Sequence, residues 1–240
     1  MRTLGLLGGM SWESSAVYYR QLNEGVRQRL GGQHSARLVM WSADFAPIAT
    51  MQAEGRWGDA TAVLVEAARG LEQAGAEAIL ICANTMHRMA GEVAEAVSVP
   101  LIHVADVTAD AIRAAGARRP LLLATAFVME QPFYRERLRA RGVETLVPPE
   151  PERRRLHAII FDELVRGRFE PGSKTEVVGM VESAVARHGA DAVIFACTEI
   201  GTLVQPRDVP VPVFDTLVLH VLAALDFALA EAEPSTQAVS

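Results

Sequence analysis

This chain repeats itself, and a duplicated unit folds as two similar halves. Tyr19-Arg20-Gln21 returns as Tyr134-Arg135-Glu136, and Gly75-Ala76-Glu77-Ala78 returns as Gly189-Ala190-Asp191-Ala192. The two tyrosines and the two cysteines, Cys82 and Cys197, are separated by the same 115 residues (134 − 19 and 197 − 82). A constant offset shared by unrelated residue types marks an internal repeat. Val99-Pro100 and Val211-Pro212 form a third echo at a slightly shorter offset, each followed by an apolar pair, a nearby aspartate and a helical stretch. The chain is expected to return there to its first half.

Within each half, short apolar runs alternate with helical stretches. Strands are expected over 4–7, 38–41 and 78–81, with helices over 11–30 and 57–74 between them. The second half repeats the rhythm with strands over 120–124 and 192–196, and helices over 130–141, 156–167 and 173–188. A strand over 211–214 leads into a last helix. Apolar runs without polar alternation, joined through helices, describe parallel strands covered on both faces. The expected architecture is α/β: two similar parallel-sheet domains related by pseudo-twofold symmetry, with an active site in the cleft between them. The expected division is 1–115 plus 211–240 for the first domain and 116–210 for the second. The polar end over 233–240 is expected to fray.

Composition removes several classes of function. A formal net charge of −6 and an isoelectric point near 5.6 do not suit a nucleic-acid or anionic-membrane partner, which calls for a basic face. The first apolar run, 4–10, is broken by glycines and followed by Ser11-Trp12-Glu13, so it reads as neither a signal peptide nor a membrane span. A cytoplasmic protein is expected. Two cysteines far apart in sequence make no disulfide framework and no close metal-ligand pair, and they are expected to be free thiols with no metal bound. Gly5-x-x-Gly8-Gly9 lacks the last glycine of a dinucleotide fingerprint; a tight turn that offers backbone N–H groups to a substrate is the expectation instead.

Each cysteine follows an apolar strand and precedes a polar stretch that opens a helix: Cys82-Ala83-Asn84-Thr85 and Cys197-Thr198-Glu199. Ligands of doubly wound α/β units bind at the carboxyl ends of strands. Helix N-termini there would favour a thiolate and hold a carboxylate. A single cysteine after a strand is usually packing; two at matched positions of a repeat are a different matter. A pseudo-twofold axis between the halves would set one thiol on each side of a substrate Cα, so that one removes a proton and the other returns one to the opposite face.

Four motifs carry a family resemblance. They are Gly5-Leu6-Leu7-Gly8-Gly9-Met10-Ser11-Trp12-Glu13-Ser14, Cys82-Ala83-Asn84-Thr85-Met86-His87, Met129-Glu130-Gln131 with Phe133-Tyr134, and Cys197-Thr198-Glu199-Ile200-Gly201, completed by Asp215-Thr216 and His220. Together they resemble the aspartate/glutamate racemase superfamily, in particular its aspartate racemase branch. The resemblance implies a homodimer acting on a small amino-acid substrate, without pyridoxal phosphate or metal, with Cys82 and Cys197 as the acid/base pair. It also implies that Met10, Gln52, Asn84, Thr85, Thr125, Thr198 and Glu199 surround the substrate carboxylate and amine.

The chain departs from that pattern in two places. Ala124-Thr125-Ala126-Phe127-Val128 stands where relatives resemble Gly-Thr-x-x-Thr, so only Thr125 survives of that loop. Pro47-Ile48-Ala49-Thr50-Met51 holds none of the arginine that relatives acting on dicarboxylic amino acids carry, which leaves Arg166 as the one counter-charge expected for an acidic side chain. Substrate range is therefore open between aspartate/glutamate and a broader set. Competing readings are a cis-diacid isomerase, a one-cysteine decarboxylase, a non-catalytic amino-acid-binding protein and a cysteine hydrolase for which His87 is the single candidate base. His87 either tunes Cys82 or is a satisfied helix-face histidine. His103 and His220 are expected to be structural, and Arg153-Arg154-Arg155 a solvated surface.

Overall fold

The computed structural model of the protein describes residues 1–230, so the expected frayed end over 233–240 lies outside the described residues. The first half runs β1 (Leu4–Gly8), α1 (Trp12–Leu30), β2 (Leu38–Ser42), α2 (Phe45–Ala53), α3 (Trp57–Gln73), β3 (Ala78–Ile81), a 3₁₀ turn over Thr85–Met89, α4 (Ala90–Glu95) and α5 (Val104–Ala114). The second half runs β4 (Pro120–Leu123), α6 (Ala126–Glu130), α7 (Pro132–Ala140), α8 (Glu150–Ala158), α9 (Pro171–His188), β5 (Ala192–Phe195), α10 (Ile200–Leu203), β6 (Val213–Asp215) and α11 (Thr216–Leu229). The expected strands stand within a residue or two of their observed bounds. The expected helix over 130–141 is α7, and a short helix not expected from sequence, α6, precedes it. The expected helix over 156–167 starts earlier, at Glu150, so Arg153, Arg154 and Arg155 lie inside it.

Every ladder among the described residues is parallel, in two three-stranded sheets ordered β2-β1-β3 and β4-β5-β6. Single parallel bridges extend each: Leu101 beside Ile79 in the first sheet, and Leu146 beside Leu121 in the second. With these bridges both sheets have the same order, which is the structural form of the repeat.

Strand pleating decides what each face of the first sheet packs against. Leu4, Leu6, Ala78, Leu80 and Cys82 point to the side of α1, where they meet Tyr18, Leu22 and Val26. Leu7, Ile79 and Ile81 point to the side of α3 and meet Leu64, Ala68 and Leu71. The second sheet is covered on both faces within one continuous core, from Leu121 and Leu123 to Val193 and Phe195.

The two halves exchange helices. α5 follows the Leu101 bridge of the first sheet, yet its Val104, Ala105, Ala109 and Ile112 are buried in the second core. α11 follows β6 of the second sheet, yet its Leu217, Val221, Ala224 and Leu225 are buried with α1 in the first. We accordingly propose that the lobes divide with 104–114 counted in the second and 216–229 in the first. That moves α5 and β6 across the boundaries expected from sequence, which followed chain order at points where packing does not. The tyrosine echo shifts too: Tyr134 is fully buried, and its buried counterpart is Tyr18, whereas Tyr19 faces solvent.

Candidate active site

The strand ends build the site. After β1 the chain turns at Gly9, whose φ of +85° and whose missing Cβ, which would stand 2.2 Å from Ala43 N, leave room for glycine alone. Its N–H donates to Ser15 Oγ (2.8 Å) and so serves the turn rather than a ligand, a correction to the expectation that this turn offers that group to a substrate. Ser11 then caps α1 by accepting from Ser14 N. Cys82 and Cys197 follow the central strand of the site in each half, β3 and β5, and both are buried.

These segments enclose one cavity of ≈ 530 Å³, open mouth included. Cys82 and Cys197 both line it, and so do Met10, Gln52, Asn84, Thr85, Thr125, Thr198 and Glu199. Arg166 alone of the sequence-derived site residues does not. Its side chain is 65% exposed, 3.9 Å from Asp162. The reason lies in the segment after α8, which continues as a π turn over Ile159–Glu163 and a 3₁₀ turn over Leu164–Arg166. One π turn adds a residue to the turn and rotates everything beyond it. Ile160 and Phe161 of the π turn and Val165 of the 3₁₀ turn face the cavity, beside Phe45 of α2.

Glu199 is the hub of the polar side. Its Oε1 accepts from Ser11 Oγ and Ser14 Oγ (2.9 Å each), and its Oε2 from Thr198 Oγ1 (2.7 Å) and Cys197 Sγ (3.0 Å). The Ser14 and Thr198 hydroxyls stand side by side, each with its one proton directed to Glu199. Burial alone would raise the Glu199 carboxyl, but donation from Thr198, Cys197, Ser11 and Ser14 outweighs it and holds the group below its ordinary value. Cys197 moves the other way: burial pushes the thiol well up, and the charge and hydrogen bond of Glu199 push it further, against a smaller lowering by the N–H groups of Glu199 and Ile200. Burial raises Cys82 strongly as well. The thiolate-favouring effect expected of the strand-to-helix turns is thus present at Cys197 and is outweighed.

Asn84 is held from both sides. Tyr134 OH donates to its Oδ1 (2.9 Å), and its Nδ2 donates to Thr216 Oγ1 (3.0 Å), which in turn donates to the Phe195 carbonyl (2.9 Å). Thr85 and Thr125 hydroxyls meet at 3.0 Å, one from each half. Gln52 Nε2 lies 2.9 Å from Met86 Sδ. Thr125 opens α6, whose Ala126 N–H is taken by His157 Nδ1 (3.2 Å). Among the described residues no three His, Cys, Asp or Glu side chains converge as metal ligands, and no helix is long and apolar enough to cross a membrane.

The histidines are satisfied inside the fold. His87 sits in the 3₁₀ turn after Cys82, where Nε2 accepts from Val104 N (3.2 Å), so Nδ1 carries the proton and donates to the Ala83 carbonyl (2.9 Å). His103 caps α5 by accepting from Ala105 N. His220 Nδ1 accepts from Tyr18 OH (2.8 Å) while Nε2 donates to the Ile102 carbonyl (2.7 Å). The three arginines of 153–155 form ion pairs with Glu130, Glu150 and Glu176 at the surface. Sequence reasoning missed Ser11 and Ser14 as the cradle of Glu199 and the apolar wall of Phe45, Ile160, Phe161 and Val165. The serines stand in the quoted motif, where their spacing as a helix cap was the available signal.

The family model for Asp/Glu/Hydantoin racemase matches residues 7–224. A Yersinia pestis structure provisionally described as an Asp/Glu racemase is 43% identical, with a TM-score of 0.89 over 95% of this chain and 100% of that one. An aspartate racemase homologue from Pyrococcus horikoshii is 33% identical, with a TM-score of 0.84 over 95% of this chain and 99% of that one. The broad specificity amino-acid racemase RacX of Bacillus subtilis is 22% identical over 156 residues, 64% of this chain; the chain thus spans 65% of that relative's length. With both halves and nearly the whole chain matched, the protein belongs to the Asp/Glu/Hydantoin racemase family.

Proposed function

We propose that this chain is a cofactor-independent amino-acid racemase in which Cys82 and Cys197 are the two acid/base groups. One observation carries the reading: the two thiols, one from each half of the repeat, line the same cavity. Both are protonated at rest, because burial raises both. Catalysis therefore begins by making one thiolate. Cys197 already donates to Glu199 Oε2, so the carboxylate can take that proton as the substrate ammonium enters and supplies positive charge nearby.

The Cys197 thiolate then removes the Cα proton of one enantiomer, and the Cys82 thiol gives its proton to the opposite face. Roles reverse for the other enantiomer. The charge that develops on the substrate carboxylate is met by neutral donors in fixed places, Asn84 Nδ2 and the Thr85 and Thr125 hydroxyls. Asn84 is suited to this, since Tyr134 and Thr216 fix its amide in one orientation. The family resemblance further supports a homodimer.

The test is racemisation followed by chiral chromatography in pyridoxal-free, metal-chelated buffer, for wild type, Cys82→Ala and Cys197→Ala. Inversion by wild type and its loss in both variants is the expected result. Full inversion by either single variant would exclude the two-thiol scheme, and no inversion of any amino acid by wild type would move the reading to isomerisation on the same scaffold.

A further inference from the structure

Among the described residues, no lysine, arginine or histidine lines the cavity that holds Cys82 and Cys197. The described lining has one full charge, Glu199, and its remaining polar groups are thiols, hydroxyls and amides. A zwitterionic amino acid brings one ammonium and one carboxylate. The ammonium matches Glu199, and the carboxylate matches the neutral donors Asn84, Thr85 and Thr125. Nothing charged is left over for a side chain.

The rest of the lining is apolar. Phe45, Ile160, Phe161 and Val165 enter it from α2 and from the π and 3₁₀ turns that follow α8. The nearest basic residue of that segment in sequence, Arg166, turns its guanidinium to solvent near Asp162. A side-chain carboxylate placed among these four residues would lose its water and gain no counter-charge. It would also share the cavity with a negative charge, held on Glu199 at rest by four donors and passed to the Cys197 thiolate during turnover.

Resting on the amino-acid reading above, we propose that the substrates are neutral amino acids with apolar side chains, enclosed by Phe45, Ile160, Phe161 and Val165, and that aspartate and glutamate are excluded. The four residues are then the specificity determinants. Three of them lie on the π and 3₁₀ turns, which carry 160, 161 and 165 on the cavity side and the basic residue at 166 outside it.

Two measurements on the intact protein separate this claim from the reaction itself. Calorimetric binding of equilibrium racemates of leucine, methionine, phenylalanine, aspartate and glutamate reads specificity whether or not turnover occurs. Leucine or methionine should bind at least about 100-fold more tightly than aspartate, and kcat/KM should rank them the same way. Val165→Arg, which places a cation in the wall, should raise aspartate binding at least about tenfold and weaken leucine binding. Aspartate binding as tight as leucine binding in wild type overturns the proposal, as does failure of every apolar amino acid to bind. Preferential leucine binding without inversion supports the specificity claim and contradicts the racemase reading.

Discussion

Cys197 Sγ donates to Glu199 Oε2 at 3.0 Å, and the carboxylate it meets already accepts from Ser11, Ser14 and Thr198. The pair joins a proton donor with a raised tendency to keep its proton to an acceptor held ionised by its neighbours. Two effects of opposite sign follow from one contact. As a charge, Glu199 opposes the thiolate; as an acceptor, it provides a place for the thiol proton to go. Replacement by glutamine removes both, so the direction of the change reveals which dominates. The proton-acceptor role predicts that Glu199→Gln lowers kcat by about 10²–10⁴-fold, the usual worth of a positioned acid or base. A pH profile of wild type should show kcat/KM level across neutral pH, because the Cys197 proton passes to Glu199 within the site and is not lost to solvent. Unchanged or faster turnover in Glu199→Gln would assign the residue a purely electrostatic effect.

Thr85 and Thr125 reach each other from opposite halves, so a substrate carboxylate placed between them ties the lobes together. Thr125→Val is nearly isosteric and removes the hydroxyl. Losing one hydrogen bond to a charged group costs about 1.5–3 kcal/mol, which predicts a KM rise of roughly tenfold or more with a smaller change in kcat. Steady-state kinetics decide it, and an unaltered KM would remove Thr125 from substrate binding.

Three buried histidines sit behind the site, with His87 4.6 Å from His103 and 5.8 Å from His220 between ring centres. Burial lowers all three, His220 to about 4 and His103 to about 3, the latter also through Arg137. A group held neutral in the fold but free to protonate near pH 6.5 when unfolded contributes stability that is complete above that pH and is lost as pH falls toward the folded value. His220 alone should cost about 2 kcal/mol of unfolding free energy between pH 7 and pH 5. Denaturant titrations across that range check the slope, which should become shallower by about one proton in His220→Asn. An equal slope in the variant would show that His220 is not held neutral.

Arg166 lies outside the cavity, beside Asp162. Arg166→Ala is expected to leave kcat/KM within about twofold for every amino acid tested and stability within about 0.5 kcal/mol, as for exposed positions in general. A selective loss with aspartate or glutamate would place the side chain in the site.

Much of this organisation is legible in the sequence. The 115-residue spacing of the cysteines carries the doubled architecture and strand ends in a parallel sheet place both thiols, while the other expected site residues come from the family resemblance; nine of the ten line the cavity, all but Arg166. What escapes is set by contacts between distant segments. Helix exchange depends on how α5 and α11 pack across the lobes, and an apolar helix face is the same pattern whichever core receives it. The Ser11 and Ser14 hydroxyls read locally as a helix cap, and only folding brings Glu199 to them across more than 180 residues of chain. Arg166 is expected from the family resemblance alone, which gives a position in the sequence and not the direction of the side chain, and after the π turn over Ile159–Glu163 that side chain faces solvent.

The central claim is that two thiols act from opposite faces of Cα, and early-time deuterium incorporation tests it most directly. A single enantiomer of a turned-over amino acid is incubated with the enzyme in deuterium oxide, and both enantiomers are separated and weighed by mass spectrometry before equilibrium. A two-base enzyme returns its abstracted proton to the face it came from, so deuterium should appear in the inverted product while recovered substrate stays unlabelled. Deuterium accumulating equally in recovered substrate from the earliest times would mean that one group serves both faces, and would contradict the pairing of Cys82 with Cys197.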